Sequence, residues 1–463
     1  MQEKTPPPET QGLYASHQKI YPREVSGRFA RLRALSVVVL LGIYYLTPLL
    51  RWDGRQAVLF DLPARKFYIF GLTLWPQDFI YLAALLIVAG LSLFFFTALV
   101  GRVWCGYACP QTVWTEAYLW MERKIEGNRS QRMKLDKAPS SAAKIRTKAI
   151  KHTVWILFSL WTGFTFVAYF TPMDQLADKL LSTSLGPWET FWILFYSFAT
   201  YGNAGFMREQ VCKYMCPYAR FQSAMFDANT LIVAYHPERG EPRGSRRRGA
   251  DPEQLGLGDC IDCSICVQVC PTGIDIRDGL QYECIACSAC IDACDEVMDK
   301  MSYPRGLIRY TTENSTLGKP QRLLRPRVMV YATILLLLCG FLASGLLTRV
   351  PLELDVIRDR NALYRDTPDG LIENVYTLKI LNMDEKPHRY RLTASGIEGL
   401  KLVLDNPHIE VAAGSVQQFI ARIQADEFKL SSRSQSVSFH LQAVDAKNLQ
   451  TDEEARFLGP GRN

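Results

Sequence analysis

From residue 340 to its end the chain has no cysteine, which excludes a disulfide scaffold from that part. Histidine is scarce, six residues in all, and His152 and His236 have no partner pattern and read as surface or interface residues. The stretch 172–187 carries one basic residue, Lys179. After the first apolar run, Thr47-Pro48-Leu49-Leu50-Arg51 offers no small-residue cleavage site, so that run reads as a retained span and not as a signal peptide. A single basic groove is also lacking. The net charge of +7 comes from lysines and arginines that flank apolar segments, which argues for a membrane and against nucleic acid.

What the chain has is length and contrast. Its 463 residues suffice for two or three domains, and its ordinary 48% hydrophobic content is gathered into runs. Five runs, roughly 34–50, 78–100, 154–171, 188–206 and 328–347, approach the ~20 residues that a membrane-crossing helix needs. Basic residues crowd the N-terminal arm 1–33, the loop 101–153 and the insert 207–327, which places these segments in the cytoplasm. An odd number of spans then leaves 350–463 on the far side, the periplasm of a Gram-negative cell. The expectation is a multi-domain, multi-pass protein of a bacterial inner membrane with a five-helix α bundle. The first 18 residues, with Pro6-Pro7-Pro8, read as a flexible tail.

Thirteen cysteines exceed what ordinary packing uses, and twelve of them fall into pairs or quartets; Cys339, alone in the fifth run, reads as core. The strongest signal is Cys260-x2-Cys263-x2-Cys266-x3-Cys270-Pro271 followed by Cys284-x2-Cys287-x2-Cys290-x3-Cys294. A tight loop wraps three corners of a 4Fe-4S cube, and the fourth cysteine of each run reaches the other cube. One cluster is therefore expected on Cys260, Cys263, Cys266 and Cys294, and the second on Cys284, Cys287, Cys290 and Cys270. Zinc sites instead take Cys-x2-Cys units separated by a longer gap. Gly273 suits the tight turn after Cys270-Pro271, whereas Cys294 is followed by Asp295.

Two further pairs, Cys105/Cys109 and Cys212/Cys216, each spaced i, i+4 and each followed by proline, lie just past the second and fourth runs. On a helical turn that spacing puts both sulfurs on one face. Matched topology brings all four to the same membrane surface. Four converging soft thiolates favour Cu(I), zinc or an iron–sulfur cluster; a redox dithiol and simple packing are the alternatives.

These residues resemble the CcoG/FixG (RdxA) family, cytochrome c oxidase accessory proteins of proteobacteria. The likeness is carried by Phe67-Tyr68-Ile69-Phe70-Gly71 leading to Trp75-Pro76-Gln77-Asp78, by Trp104-Cys105-Gly106-Tyr107-Ala108-Cys109-Pro110 and by Cys212-Lys213-Tyr214-Met215-Cys216-Pro217. Cys270-Pro271-Thr272-Gly273-Ile274-Asp275 and Gly279-Leu280-Gln281-Tyr282-Glu283-Cys284 add to it, and it runs through nearly the whole chain. The resemblance implies a membrane-bound polyferredoxin, an oxidoreductase that reduces its substrate Cu(II) to Cu(I) for assembly of a cbb-type oxidase. It implies copper on Cys105, Cys109, Cys212 and Cys216, two 4Fe-4S clusters on the quartets, and partners among copper transporters or chaperones and oxidase assembly factors. The sequence leaves open the electron donor expected in the cytoplasm.

Beyond Arg349 short alternating runs at 375–380, 388–392, 400–404, 409–411, 416–423 and 436–444 predict one all-β, immunoglobulin-like sandwich. Its expected role is docking, on a partner or on a second copy of the chain in a homodimer. Two other functions fit the same motifs. One is a quinol-linked electron conduit like the membrane subunits of periplasmic nitrate reductase systems, for which a fifth span and a β domain are superfluous. The other is a non-redox assembly scaffold, for which eight oxygen-sensitive ligands are superfluous.

Overall fold

The computed structural model describes residues 19–460 apart from 253 and 407; the tail read in residues 1–18 lies outside them. The chain folds as two compact units, one from residues up to Leu62 with Leu86–Leu337, the other from Pro63–Leu85 with Leu338–Asn463.

The helical part consists of α1 (Arg28–Leu46), α2 (Phe79–Val100), α3 (Val103–Tyr107), α4 (Pro110–Glu126), α5 (Arg129–Lys137), α6 (Ala142–Val167), α7 (Met173–Leu181), α8 (Pro187–Thr200) and α9 (Pro217–Met225), with a further helix at Pro326–Thr348. Among the described residues three helices are long and apolar enough to cross a membrane, Arg28–Leu49, Pro76–Val100 and Pro326–Thr348. They coincide with the first, second and fifth expected spans. The third and fourth runs are helical but of another kind. Helix α6 starts inside the basic stretch, with Lys144, Arg146, Lys148 and Lys151 on its opening turns, and its apolar half is diluted by Thr, Ser and Trp. Helix α8 is fourteen residues long and passes into a π-helix, Tyr201–Met207.

The segment expected as a loop over 101–153 is largely helical. Pro110 opens α4 at a place where its missing N–H costs nothing, and Gly127, at φ 87°, closes it. In α5 the Asn128 side chain accepts from Gln131 N at 3.0 Å, while the Gln131 side chain accepts from Asn128 N at 2.8 Å, a reciprocal cap. Helix α7 lies within the stretch 172–187 that separates the third and fourth runs.

In the second unit Asp78 accepts from Arg349 Nε at 2.8 Å and Nη2 at 2.6 Å, and from Trp75 N at 2.8 Å. The Trp75-Pro76-Gln77-Asp78 motif is thus a clamp on the residue that opens the β domain. That domain has two antiparallel sheets. One runs Lys401–Leu404, Ser415–Asp426, Leu371–Asn382, Leu352–Arg358; the other Ile409–Val411, His388–Ser395, Ser434–Ala443, Gln450–Leu458. Buried Asn374 joins the sheets, donating to Leu458 O at 2.7 Å and accepting from Leu458 N at 3.1 Å. Tyr376 and Phe439 meet edge to face in the core, with ring centroids 5.1 Å apart.

His388 sits buried between Asp445, 2.7 Å from Nδ1, and Asp384, 2.9 Å from Nε2. Burial opposes its charge, but the two carboxylates outweigh burial and raise its pKa above 6.5. Because the folded pKa is the higher one, this contribution is complete below pH ~6.5 and is lost as pH rises through the folded value. Urea unfolding of the β domain should show its midpoint falling across that window, and His388→Gln should flatten the fall; an unchanged slope in the variant refutes the assignment.

Candidate metal centres

The two Cys-x2-Cys-x2-Cys loops repeat one backbone device. Asp262 and Ser264 in the first, at φ 52° and 53°, are matched by Ala286 and Ser288 in the second, at 53° and 61°. Such left-handed residues turn successive N–H groups toward one point, a concavity suited to an anionic group. Ser264 and Ser288 then cap the helices Ile265–Val269 and Ala289–Met301, whose first turns carry Cys266 and Cys290. The strands Ile232–Tyr235 and Ile308–Thr311 pair antiparallel in the same insert.

One cavity is lined by Cys260, Cys263, Cys266 and Cys294, and the next by Cys266, Cys270, Cys284, Cys287 and Cys290. Gly273, at φ 73°, turns the chain just after Cys270-Pro271. Cys294 lies inside the helix that ends at Met301. A proline after it would break that helix, which is the physical reason the Cys-Pro step of the first quartet is not repeated there. Both cavities fit a 4Fe-4S cube. The first is lined by four cysteines and the second by five, Cys266 being shared, and both have apolar walls; among the described residues no three His, Cys, Asp or Glu side chains, those of the membrane-edge cysteines included, are close enough to hold a single ion. Burial pushes the Cys266 thiol up to about 11 and the Cys284 and Cys294 thiols up to about 12, so ligation displaces protons.

The membrane-edge pairs differ from the expected single helical face. Cys105 lies in the short α3, and the chain then breaks so that Cys109 caps α4 with Pro110 at its first position. Cys212 lies in a π-turn, Val211–Met215, and Cys216 caps α9 with Pro217 at its first position. The two Cys-Pro steps are therefore the same device, a thiol at the positive end of a helix. Burial raises the Cys109 pKa, opposed by the nearby backbone N–H groups of Thr112 and Gln111. Burial also pushes Cys105 up to about 12 and Cys212 up to about 11. Cys109 and Cys212 further raise Cys105, and Cys109 and Cys216 raise Cys212, so the four sulfurs lie within one another's fields.

What holds the two segments together was not visible in the motifs. Gln111, two residues past Cys109, donates to Asn203 O at 2.9 Å and Arg208 O at 3.0 Å, fixing the π-helix that leads to Cys212. Fully buried Gln222 on α9 accepts from Cys105 Sγ at 3.3 Å. Arg102 is buried and donates to the carbonyls of Tyr282 and Ala219, tying α2's exit to the second cysteine loop and to α9. Its charge lowers the pKa of Cys105, Cys212 and Cys284 alike. Its one sequence signal is a cation three residues before Cys105.

Gly106 meets the second cysteine loop backbone to backbone. A methyl group there would lie 2.8 Å from Ile285 O, 2.9 Å from Cys287 Cα and 3.0 Å from Ala286 C. Gly106→Ala should cost ~1–3 kcal/mol through overpacking and lower the iron retained per chain. Gly90→Ala, with nothing within 4 Å, is the control. Equal melting temperature and iron content in the two variants would show that the contact is unimportant.

Three family models match the chain: "4Fe-4S binding domain" over residues 82–128, "4Fe-4S dicluster domain" over 207–313 and "IG-like fold at C-terminal of FixG", described as an oxidoreductase, over 342–460. The chain is 44% identical over 422 residues to the nitrogen fixation protein FixG of Rhizobium meliloti, across 83% of this chain and 80% of that protein. It is 44% identical over 418 residues to the protein RdxA of Cereibacter sphaeroides, across 87% and 86%. A crystal structure of a FixG-related protein from Vibrio parahaemolyticus is 30% identical over 23% of this chain and 95% of that one, with a TM-score of 0.22. Iron–sulfur domains, apolar helices and the C-terminal β domain come together in one chain, and this chain belongs to the FixG/RdxA family of iron–sulfur oxidoreductases.

Proposed function

We propose that this protein reduces Cu(II) to Cu(I) at Cys105, Cys109, Cys212 and Cys216, supplying copper for assembly of a cbb-type cytochrome c oxidase. In this reading Cys260, Cys263, Cys266 and Cys294 hold one 4Fe-4S cluster and Cys270, Cys284, Cys287 and Cys290 the other. Helices α6 and α8 complete a five-helix bundle in the inner membrane. The N-terminal arm and the cysteine-rich insert face the cytoplasm and the β domain faces the periplasm, where a copper transporter, a chaperone, an assembly factor or a second copy docks. The clusters, when bound, each take up and release one electron.

One observation carries this reading. Cys105 and Cys290 pack against the same apolar cluster, whose buried members are Val269, Ile285, Cys287, Ala289 and Ala293. A membrane-edge thiol and two cluster-cavity thiols thus pack against one apolar cluster. Four thiolates suit Cu(I), a soft ion, better than Cu(II), so the site favours the reduced product. Arg102 and the N-termini of α4 and α9 favour the thiolate forms when copper displaces their protons.

A second reading rests on the match over 82–128, described as a 4Fe-4S binding domain, in which the cysteines are Cys105 and Cys109. There the membrane-edge cysteines hold a third cluster. Iron analysis separates the two readings: two clusters give about eight irons per chain and three give about twelve.

The protein, purified anaerobically and reduced with dithionite, should form Cu(I) from added Cu(II) in step with bleaching of the cluster absorbance. Serine at Cys105, Cys109, Cys212 or Cys216 should abolish Cu(I) formation while iron content stays at the parent level. Loss of iron in those variants supports the third cluster, and copper reduction at the parent rate in all four removes copper from the site. Cys294→Ser and Cys270→Ser should each delete a different cluster signal by electron paramagnetic resonance; deletion of the same signal by both refutes the crossed assignment.

A further inference from the structure

Gln222 on α9 is completely buried, yet only half of its amide is used. Its Oε1 accepts from the Cys105 sulfhydryl at 3.3 Å, and its Nε2 has no hydrogen-bond partner among the described residues. Burying an amide N–H2 without an acceptor opposes folding, and a leucine of similar bulk would avoid that cost. Gln222 is also the one side chain among the described residues that hydrogen-bonds the Cys105 sulfur. Cys109 differs, because the backbone N–H groups of Thr112 and Gln111 lie near its sulfur.

Beside the amide lies a pair of hydroxyls. Burial raises the pKa of Tyr218, one turn earlier on α9, and the side chains of Thr97 and Gln222 oppose it, so amide and phenol interact. The Tyr218 hydroxyl is 2.7 Å from Thr97 Oγ1 and donates to Leu93 O at 3.3 Å. Thr97 donates to the same carbonyl at 2.7 Å. Each hydroxyl has one proton and can also accept, so rotating two O–H bonds reverses the direction of the pair.

A sulfhydryl and a metal-bound sulfur make opposite demands. The first donates a proton and needs an acceptor. The second has lost that proton, carries negative charge and is served by N–H donors. We infer that Gln222 is a positioning residue for the membrane-edge metal, its amide turning over when metal replaces the Cys105 proton so that Nε2 donates to the sulfur. The S–H bond breaks, a sulfur–metal bond forms and the proton passes to solvent. Oε1 then takes the place that Nε2 left and accepts from Tyr218, whose oxygen accepts in turn from Thr97. The Nε2 without a partner in the thiol form is thus the donor held for the metal form. The inference rests on the reading of Cys105 as a metal ligand, and it holds for copper or for a third cluster.

The full cluster-loaded chain, anaerobic and in nanodiscs, is measured by infrared spectroscopy before and after Cu(I) is added. Subtracting the Cys105→Ser spectrum isolates the Cys105 S–H stretch. Gln222→Leu should move that band to the higher frequency of a thiol without an acceptor. Competition with a Cu(I) chelator should show its affinity reduced by about 10–100-fold. Tyr218→Phe should leave the band in place and still weaken Cu(I) binding, a split that loss of packing would not produce. Iron content and melting temperature report whether each variant folds, and Tyr218→Phe decides alone where Gln222→Leu does not. A band unmoved in Gln222→Leu overturns the inference, as does Cu(I) affinity at the parent level in either variant. A parent with about twelve irons per chain and no Cys105 S–H band ends the copper reading alone. The inference is then decided by the midpoint potential of the third cluster, which Gln222→Leu should lower and which, unshifted, overturns it. A parent that retains neither Cu(I) nor a third cluster removes the metal, and the inference with it.

Discussion

Glu122 is the carboxylate around which the membrane-edge architecture is arranged. It is completely buried on α4, where Arg208 donates to it at 2.8 Å and Arg132 at 3.4 Å, with Lys151 at 3.7 Å and Lys19 at 3.8 Å. Burial works against its charge, yet the four cations outweigh burial and hold its pKa below the usual carboxylate value. Those cations come from the N-terminal arm, α5, α6 and the turn after the π-helix. Replacing Glu122 with a neutral group would leave four like charges facing one another in a space with little water, and breaking such buried pairs costs ~3–5 kcal/mol. The network spends desolvation energy on placing parts, and the parts it places carry the cysteines. Arg208, at φ 41°, is where the chain leaves the π-helix and turns toward Cys212.

This network also shows why the insert and the bundle were legible to different degrees. The quartets state their chemistry in spacing alone, because a cube demands thiolates at fixed short intervals. Charge is less explicit. Lys148, Lys151 and Arg132 read in sequence as topological charges of a cytoplasmic loop, and they also close buried bridges to Glu126 and Glu122 at 2.8–3.4 Å. Long-range pairing of this kind has no local signature. Arg102, Gln111 and Gln222 were missed for the same reason. Each matters through a carbonyl or a sulfur far away in sequence, and nothing in the neighbouring residues marks it.

The β domain shows the complementary failure. The six strands with an alternating pattern are present, yet Leu352–Arg358 and Gln450–Leu458 lay outside the sequence reading. Both are outermost strands of their sheets, and Gln450–Leu458 buries little besides Phe457. A strand buried along one short stretch loses the period-2 contrast that reveals it. Its place is fixed instead by Asn374 and by Tyr376, which donates to Arg456 O at 3.1 Å. Likewise the five-span reading treated all apolar runs alike, whereas α8 and its π-helical extension spend sequence on a bend. π-Geometry widens the helix at a place where the chain must turn while keeping its backbone bonded, and such segments gather at functional sites.

The two Cys-Pro steps bring these strands of argument to one point. A thiol in an apolar site resists ionisation, as Cys105 and Cys212 do, yet a thiolate is what a metal binds. Burial alone would make the site inert, and positive charge alone would leave reactive thiolates open to oxidation. Cys109 and Cys216 sit at helix N-termini opened by proline, and the Arg102 charge reaches Cys105 and Cys212, so a stabilising field is already present while burial keeps the protons on Cys105 and Cys212. In the proposed copper reading, an arriving cation tips that balance by displacing the protons. The same preset field needs no rearrangement afterwards, because the helices that supply it are locked by Glu122 and Gln111 before any metal is bound.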